Sequence, residues 1–231
     1  HRAFDLGGGT GDLFKYNDGS LFVGVQFPPN TLYWDNDATS GNNNIGTGAG
    51  LGGSGCWDTS ANKWFSGSSN AAWAANNDAV FWGTAGAVTL SAPQSVNSLS
   101  FKSNGYTITG STLTMATANV NVDSGATAIV NSAVAGSSGL VKNGAGTLQL
   151  GGTNTYTGGT TVNAGTLQVS ADANLGADPG SLSVGNIPLS GGTLRFGGNF
   201  NLSNNRGITL EDNGGPIEPQ GFTNAPANTQ A

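Results

Sequence analysis

Two acidic strings are the first places where this sequence could do chemistry. Asp5-Leu6-Gly7-Gly8-Gly9-Thr10-Gly11-Asp12 is a glycine-rich run between carboxylates, a composition with which backbone N–H groups can cradle a phosphate. Asp35-Asn36-Asp37-Ala38-Thr39, after the apolar Leu32-Tyr33-Trp34, has the Asp-x-Asp-x-Thr spacing of an aspartyl nucleophile with a partner acid. Phosphate chemistry of either kind needs helices covering a parallel sheet, and long amphipathic helical windows do not occur in this chain. A glycine-rich turn and an Asx turn are therefore expected at the two strings. Calcium is the other use open to them. Oxygen-bearing side chains alternate at 35, 37 and 39 without the Gly and distal Glu of an EF-hand loop, and 5–12 nearly fits a single calcium-binding nonapeptide. No cofactor is expected, with Ca2+ as the one candidate.

Other catalytic sets fail to assemble. General acid–base work needs carboxylates converging in a cleft, yet the 13 acids are dispersed and Glu211-Asp212 is the only adjacent pair. Asp123, Lys142, Asp172, Asp178, Arg195 and Arg206 are too scattered along the sequence to predict a cluster. His1 is the sole histidine and Cys56 the sole cysteine. That excludes an internal disulfide and a cysteine zinc site, and Cys56 is expected as a small buried hydrophobe. The reading is no catalytic residues, no metal ligands, and no enzyme. Trp34, Trp57, Trp64 and Trp73 could stack on sugar rings or could fill a core where aliphatic side chains are scarce.

Composition bounds the partners. With 39 glycines in 231 residues and charged residues at only 9 %, this is not an ordinary globular enzyme. Seven scattered basic residues against a net charge of −6 lack the footprint that nucleic acid or an anionic membrane requires. No apolar run is long enough to insert into a membrane as a helix. The chain starts at His1 with no leader-like region, and is expected to be a processed or excerpted piece of a secreted precursor.

The elements that must position these residues are short strands. Alternating pairs recur: Val88/Leu90, Leu99/Phe101, Tyr106/Ile108, Leu113/Met115, Val120/Val122, Leu148/Leu150, Leu167/Val169, Leu182/Val184, Leu194/Phe196 and Ile208/Leu210. Gly, Asn, Ser and Asp separate them, as turn chemistry requires. The one weak helical stretch is Ser69 to Asn76.

Sequence repetition selects among all-β folds. Gly146-Thr147-Leu148-Gln149-Leu150 returns as Gly165-Thr166-Leu167-Gln168-Val169 and as Gly192-Thr193-Leu194-Arg195-Phe196, at intervals of 19 and 27 residues. A period near 20 with one strand start per repeat predicts stacked coils, a parallel β-solenoid. Leu and Val should fill its axis, Thr and Gln should face solvent, and Gly should sit where a side chain would strike the next coil.

Residues 139–169 carry a specific resemblance. The opening Lys142-Asn143-Gly144-Ala145-Gly146-Thr147-Leu148, the centre Asn154-Thr155-Tyr156-Thr157-Gly158-Gly159-Thr160 and the close Asn163-Ala164-Gly165-Thr166-Leu167 resemble the autotransporter-associated β-strand repeat, also called the passenger-associated transport repeat. Leu175-Gly176 and Leu189-Ser190-Gly191-Gly192-Thr193-Leu194 are similar to the degenerate coil that trails such repeats. Trp34-Asp35, Trp57-Asp58, Trp64 and Asn77-Asp78-Ala79-Val80-Phe81 are loosely similar to the lead-in of large bacterial surface proteins. The resemblance implies a right-handed parallel β-helix, extracellular or at a bacterial cell surface, and implies no catalysis.

The organisation expected is an amino-terminal β-hairpin and assembly segment (1–30), a Trp/Asn/Gly-rich cap (31–82), the solenoid (83–215) and a carboxy-terminal tail (216–231). Asn17-Asp18-Gly19 should close the hairpin. Its Phe14, Tyr16, Leu21, Val23 and Val25, with Ile208 and Leu210 on the last coil, are candidate contacts for head-to-tail assembly with copies of the chain. The reading is a non-catalytic structural subunit of an extracellular fibre or matrix. An adhesin or glycan-binding passenger is the alternative, with surface glycans as partners, and a carbohydrate-active β-helix enzyme the third.

Overall fold

Short β-strands stack coil on coil through the chain. The computed structural model describes residues 11–15, 21–25 and 30–219. Among these there is no α-helix, only two single turns of 3-10 helix at Ser40–Asn42 and Asp172–Leu175. Ser69 to Asn76 is not helical: Asn70–Ala71 is a short strand paired antiparallel with Trp64–Phe65, and Trp73 after it is buried. Gly11–Lys15 and Leu21–Val25 pair antiparallel, Phe14 opposite Phe22, as the hairpin reading expects. Tyr16 and the 17–19 turn lie outside the described residues.

Successive coils add strands to an eight-stranded sheet and to a twelve-stranded sheet, the second also taking Leu113–Met115 and Val134–Ala135 beside its main order. In the first, Thr147–Leu150 pairs parallel with Thr166–Val169, which pairs parallel with Thr193–Phe196. The three copies of the repeated pentapeptide thus stand in register: Leu148 over Leu167 over Leu194, and Gln149 over Gln168 over Arg195. The column runs backward through Ala128 to Tyr106 and forward to Ile217. Leu148, Leu167 and Leu194 are fully buried. Thr147, Gln149, Thr166 and Gln168 are half-exposed, so the period-two alternation divides each strand between axis and solvent.

Glycines permit the sharp corners. Gly165 has φ +63°, and a Cβ there would run into the backbone of Gly146 and Ala145 in the coil before, a place and a conformation that only glycine tolerates cheaply.

Parallel stacking begins before residue 83. Thr31–Trp34 pairs parallel with Asn77–Phe81, and Gly55–Trp57 with Ala87–Leu90. The Trp-rich segment is therefore the first coil, covered at its end by Trp64–Phe65, antiparallel to Thr31–Trp34, and by Asn70–Ala71, antiparallel to Trp64–Phe65. At the other end, Ile217–Pro219 forms a strand beside Thr193–Phe196 where a tail was expected. Leu182 and Val184 depart from the half-buried alternation: they are 60 % and 65 % exposed. The register slips between Ser183 and Ile187, and this bulge releases them from the inward columns.

Candidate functional site

The four candidate sugar-stacking tryptophans have no free face. Trp34, Trp57 and Trp64 are fully buried and Trp73 is 4 % exposed. Their ring centroids lie 4.5–5.3 Å apart across successive pairs. The cluster passes through Phe81 onto Phe101, stacked at 5.0 Å, and Tyr106. The first coil has no preceding coil to bury against, and bulky rings supply the volume that a neighbour's aliphatics supply elsewhere. This corrects the glycan-platform reading of these four residues.

Cys56 is also corrected. It sits between inward Gly55 and Trp57 on a strand at the end of the eight-stranded sheet, so its side chain points outward and is exposed.

The charges of the solenoid serve its corners. Lys142 lies in an inward column between Val120 and Val162, fully buried, and burial pushes its ammonium down to about 8. Its Nζ donates to the carbonyls of Asn143 at 2.8 Å, Gly144 at 2.7 Å and, one coil on, Ala164 at 3.2 Å. The three donors of the ammonium thus match three carbonyls of the turns on either side of a coil boundary.

Arg206, 1 % exposed, binds the next corner. It donates from Nε to Asp172 at 2.9 Å, and from its terminal nitrogens to the carbonyls of Leu175 and Gly176 and to Asn186 Oδ1. Beside it, the Asn154 amide donates to the Asn174 carbonyl at 2.6 Å, and its oxygen accepts from the Val134 N–H at 2.8 Å. The Tyr156 hydroxyl lies 2.8 Å from Thr160 Oγ1. Asn154 and Tyr156 belong to the Asn-Thr-Tyr centre of the repeat, and Leu175-Gly176 to the coil that follows it. The geometry explains their types: buried side-chain polar groups satisfy corner carbonyls and amides that have no strand partner.

What faces solvent on the eight-stranded sheet is mainly rows of Thr and Gln, with Cys56 and Ile129 among them and the Arg195–Glu218 pair at 2.8 Å. Lys102 and Asp123 pair at 3.6 Å, both partly exposed. Among the described residues no group of three or more His, Cys, Asp or Glu converges as a metal site. The acids and bases named from sequence are not brought together in a cleft. Asp172 and Arg206 do meet, at a buried corner, and Asp178 is held low, to about 2, chiefly by Ser203 and Asn205.

Of the assembly candidates, Ile208 is buried at 5 % and Leu210 is 54 % exposed. Both lie on Arg206–Leu210, the terminal strand of the twelve-stranded sheet. Leu210 continues the inward column of Val162 and Leu189 and is open because no described strand stacks on it. Phe14, Leu21, Val23 and Val25 belong to the amino-terminal hairpin strands.

Asp35 and Asp37 part ways at the end of the first strand. The Asp37 carboxylate accepts from the Thr39 N–H at 2.7 Å and from the Asn42 amide at 3.0 Å, which is the Asx turn expected. Asp35 is fully buried. Its Oδ2 accepts from the amides of Asn43 at 2.7 Å and Asn70 at 2.5 Å.

Comparison with known proteins agrees with this architecture. Residues 140–169 match the passenger-associated-transport-repeat family, the same stretch whose Lys142, Tyr156 and Leu148 hold the coils together. The chain is also similar to the adhesin BmaC autotransporter of Brucella suis biovar 1 (strain 1330), at 38 % identity over 188 residues covering 72 % of this chain. It spans 5 % of that protein's length. No solved structure matches the chain.

Proposed function

We propose that this chain, which carries a passenger-associated transport repeat, is a β-solenoid segment of a bacterial surface adhesin, exposed outside the cell and without catalytic activity. The observation that carries this reading is the match at 38 % identity to an adhesin autotransporter across 72 % of the chain. The stacked ladder supports it physically. Coils that pair only with their neighbours build a stiff rod that can hold a contact surface away from a cell. The outward rows of Thr and Gln are polar and nearly uncharged, which suits hydrogen bonding to hydroxyl-rich glycans or to exposed peptide backbone.

Head-to-tail fibre formation has less support. The open edge at Arg206–Leu210 could accept a copy of the chain, but in a passenger many times longer it could equally continue into further coils. Sedimentation of the purified chain separates the two: a mass that grows with concentration favours the fibre.

The adhesin reading is tested with purified, fluorescently labelled chain on fixed epithelial cells. Saturable binding that unlabelled chain displaces is the expected outcome. Binding no greater than that of an unrelated β-solenoid of similar charge would reject it.

A further inference from the structure

Asp35 presents an imbalance that the fold does not resolve. Its carboxylate is fully buried, and none of the ion pairs among the described residues involves it. Lys63, whose backbone carbonyl accepts from the Asp35 N–H, turns its ammonium to the Cys56 carbonyl. Two amide N–H groups donate to Oδ2, while Oδ1 is buried with no partner. The side-chain oxygens of the two asparagines that hold it, Asn43 and Asn70, are buried and unpartnered as well. Three orphaned oxygens thus gather at one buried carboxyl group. Buried polar atoms are nearly always paired, and a buried charge without a counter-ion is costly.

Asp37 adds a second carboxyl. It lies two residues on, is exposed to solvent, and is held low chiefly by the Asn42 amide and then the Thr39 N–H, with a smaller contribution from Asp35. A carboxamide turned half round places its oxygen where its nitrogen stood, so Asn43 and Asn70 can present oxygen to a cation as readily as they present N–H to Asp35.

We infer that Asp35, Asp37, Asn43 and Asn70 form a site for a hard divalent cation, Ca2+ by preference. The donor set is oxygen only. It holds two carboxyl groups and two carboxamides, is open to solvent at Asp37, and comes from loops and strand ends, which suits the flexible six- to eight-fold coordination of Ca2+ better than the strict octahedron of Mg2+. The cation neutralises Asp35 and ties three pieces together: the end of the Thr31–Trp34 strand, the loop carrying Asn43, and the Asn70–Ala71 strand that covers the first coil. Its function is to lock the cap onto the solenoid in a calcium-rich exterior. This is independent of the adhesin reading, since any extracellular use of the fold would keep it.

The test is calorimetric titration of the full chain, stripped with EDTA, with CaCl2 and separately with MgCl2, together with thermal unfolding in calcium and in EDTA. The expected result is one Ca2+ per chain with a dissociation constant of about 10⁻⁴ to 10⁻³ M, weaker Mg2+ binding, and a higher melting temperature in calcium. Asp35→Asn should abolish the calcium-dependent rise. Asp37→Asn, at an exposed position where the amide oxygen can still accept from the Thr39 N–H, should weaken binding about ten-fold or more. Asn70→Asp should tighten binding and lower the melting temperature in EDTA, because the added carboxylate repels Asp35 unless a cation lies between them. Asp212→Asn, at a distant exposed acid, should bind as the parent does. No heat and no melting shift up to about 10 mM Ca2+ in the folded parent would overturn the site. So would parental binding in Asp37→Asn, or an Asn70→Asp variant that calcium fails to rescue; these two decide the matter if Asp35→Asn does not fold.

Discussion

Lys142 Nζ, rooted in one coil, donates to the Ala164 carbonyl of the next at 3.2 Å. That bond joins the Lys-Asn-Gly opening of the repeat to its Asn-Ala-Gly close, and it accounts for a lysine inside an apolar column. The repeat's sequence is thus a recipe for a coil boundary: Leu for the axis, Gly for the corner, and a buried cation to satisfy the carbonyls that the corner exposes.

Replacing Lys142 by Met keeps the stem and removes the donors. Three carbonyls lose a partner, and the loss should be about 1–3 kcal/mol in urea unfolding at pH 7.

The pH dependence of the parent has a definite sign. Lys142 is held to about 8 in the folded chain against 10.5 when unfolded, so between those values the unfolded chain binds more protons and folding stability rises with pH. Tyr106 and Tyr156, both pushed up by burial, act oppositely above pH 10, where the folded chain keeps their protons. Stability should therefore climb from about pH 8 to 10 and then fall. Lys142→Met should lose the climb and keep the fall; a parent whose stability is flat across pH 8–10 would contradict the assignment.

Leu148→Ala or Leu167→Ala empties part of a thin core and should cost about 2–5 kcal/mol. Thr147→Ala and Gln149→Ala, on the solvent side of the same strand, should change stability by under about 0.5 kcal/mol. Equal sensitivity at all four positions would contradict the alternation.

Arg206→Leu leaves Asp172 and the carbonyls of Leu175 and Gly176 without their donor. A loss of about 3–5 kcal/mol is expected, measured by unfolding in guanidinium. Retention of parental stability would mean that water replaces the guanidinium at that corner.

The sequence announces the ladder more clearly than the polar corners. Leu148, Leu167 and Leu194 share a pentapeptide, and identical residues stacked in register are what parallel coils produce, so the columns can be read before any coordinates. Lys142 and Arg206 cannot be placed that way. Each is one charged residue among many polar ones, and only the path of the chain shows that its head meets carbonyls instead of water. Leu182 and Val184 mislead for the opposite reason: their alternation is strand-like, but a bulge between Ser183 and Ile187 turns them outward. Trp34, Trp57, Trp64 and Trp73 fit a sugar platform or a core equally well by type. The choice between them depends on Trp64–Phe65 folding back on Thr31–Trp34, a long-range pairing with no local signature. The three orphaned oxygens at Asp35 are equally hidden, since Asn43 and Asn70 become neighbours only through that same cover.

Attachment is the most direct measure of the account as a whole. The chain is to be displayed on a non-adherent bacterium through a heterologous membrane barrel, its folded state verified by protease resistance, and cell retention counted under flow over an epithelial layer. A surface adhesin segment predicts several-fold greater retention than the barrel alone, reduced when the outward Thr147, Gln149, Thr166 and Gln168 are replaced together by Lys. Retention equal to the barrel alone, with the chain folded on the surface, would contradict the adhesin function.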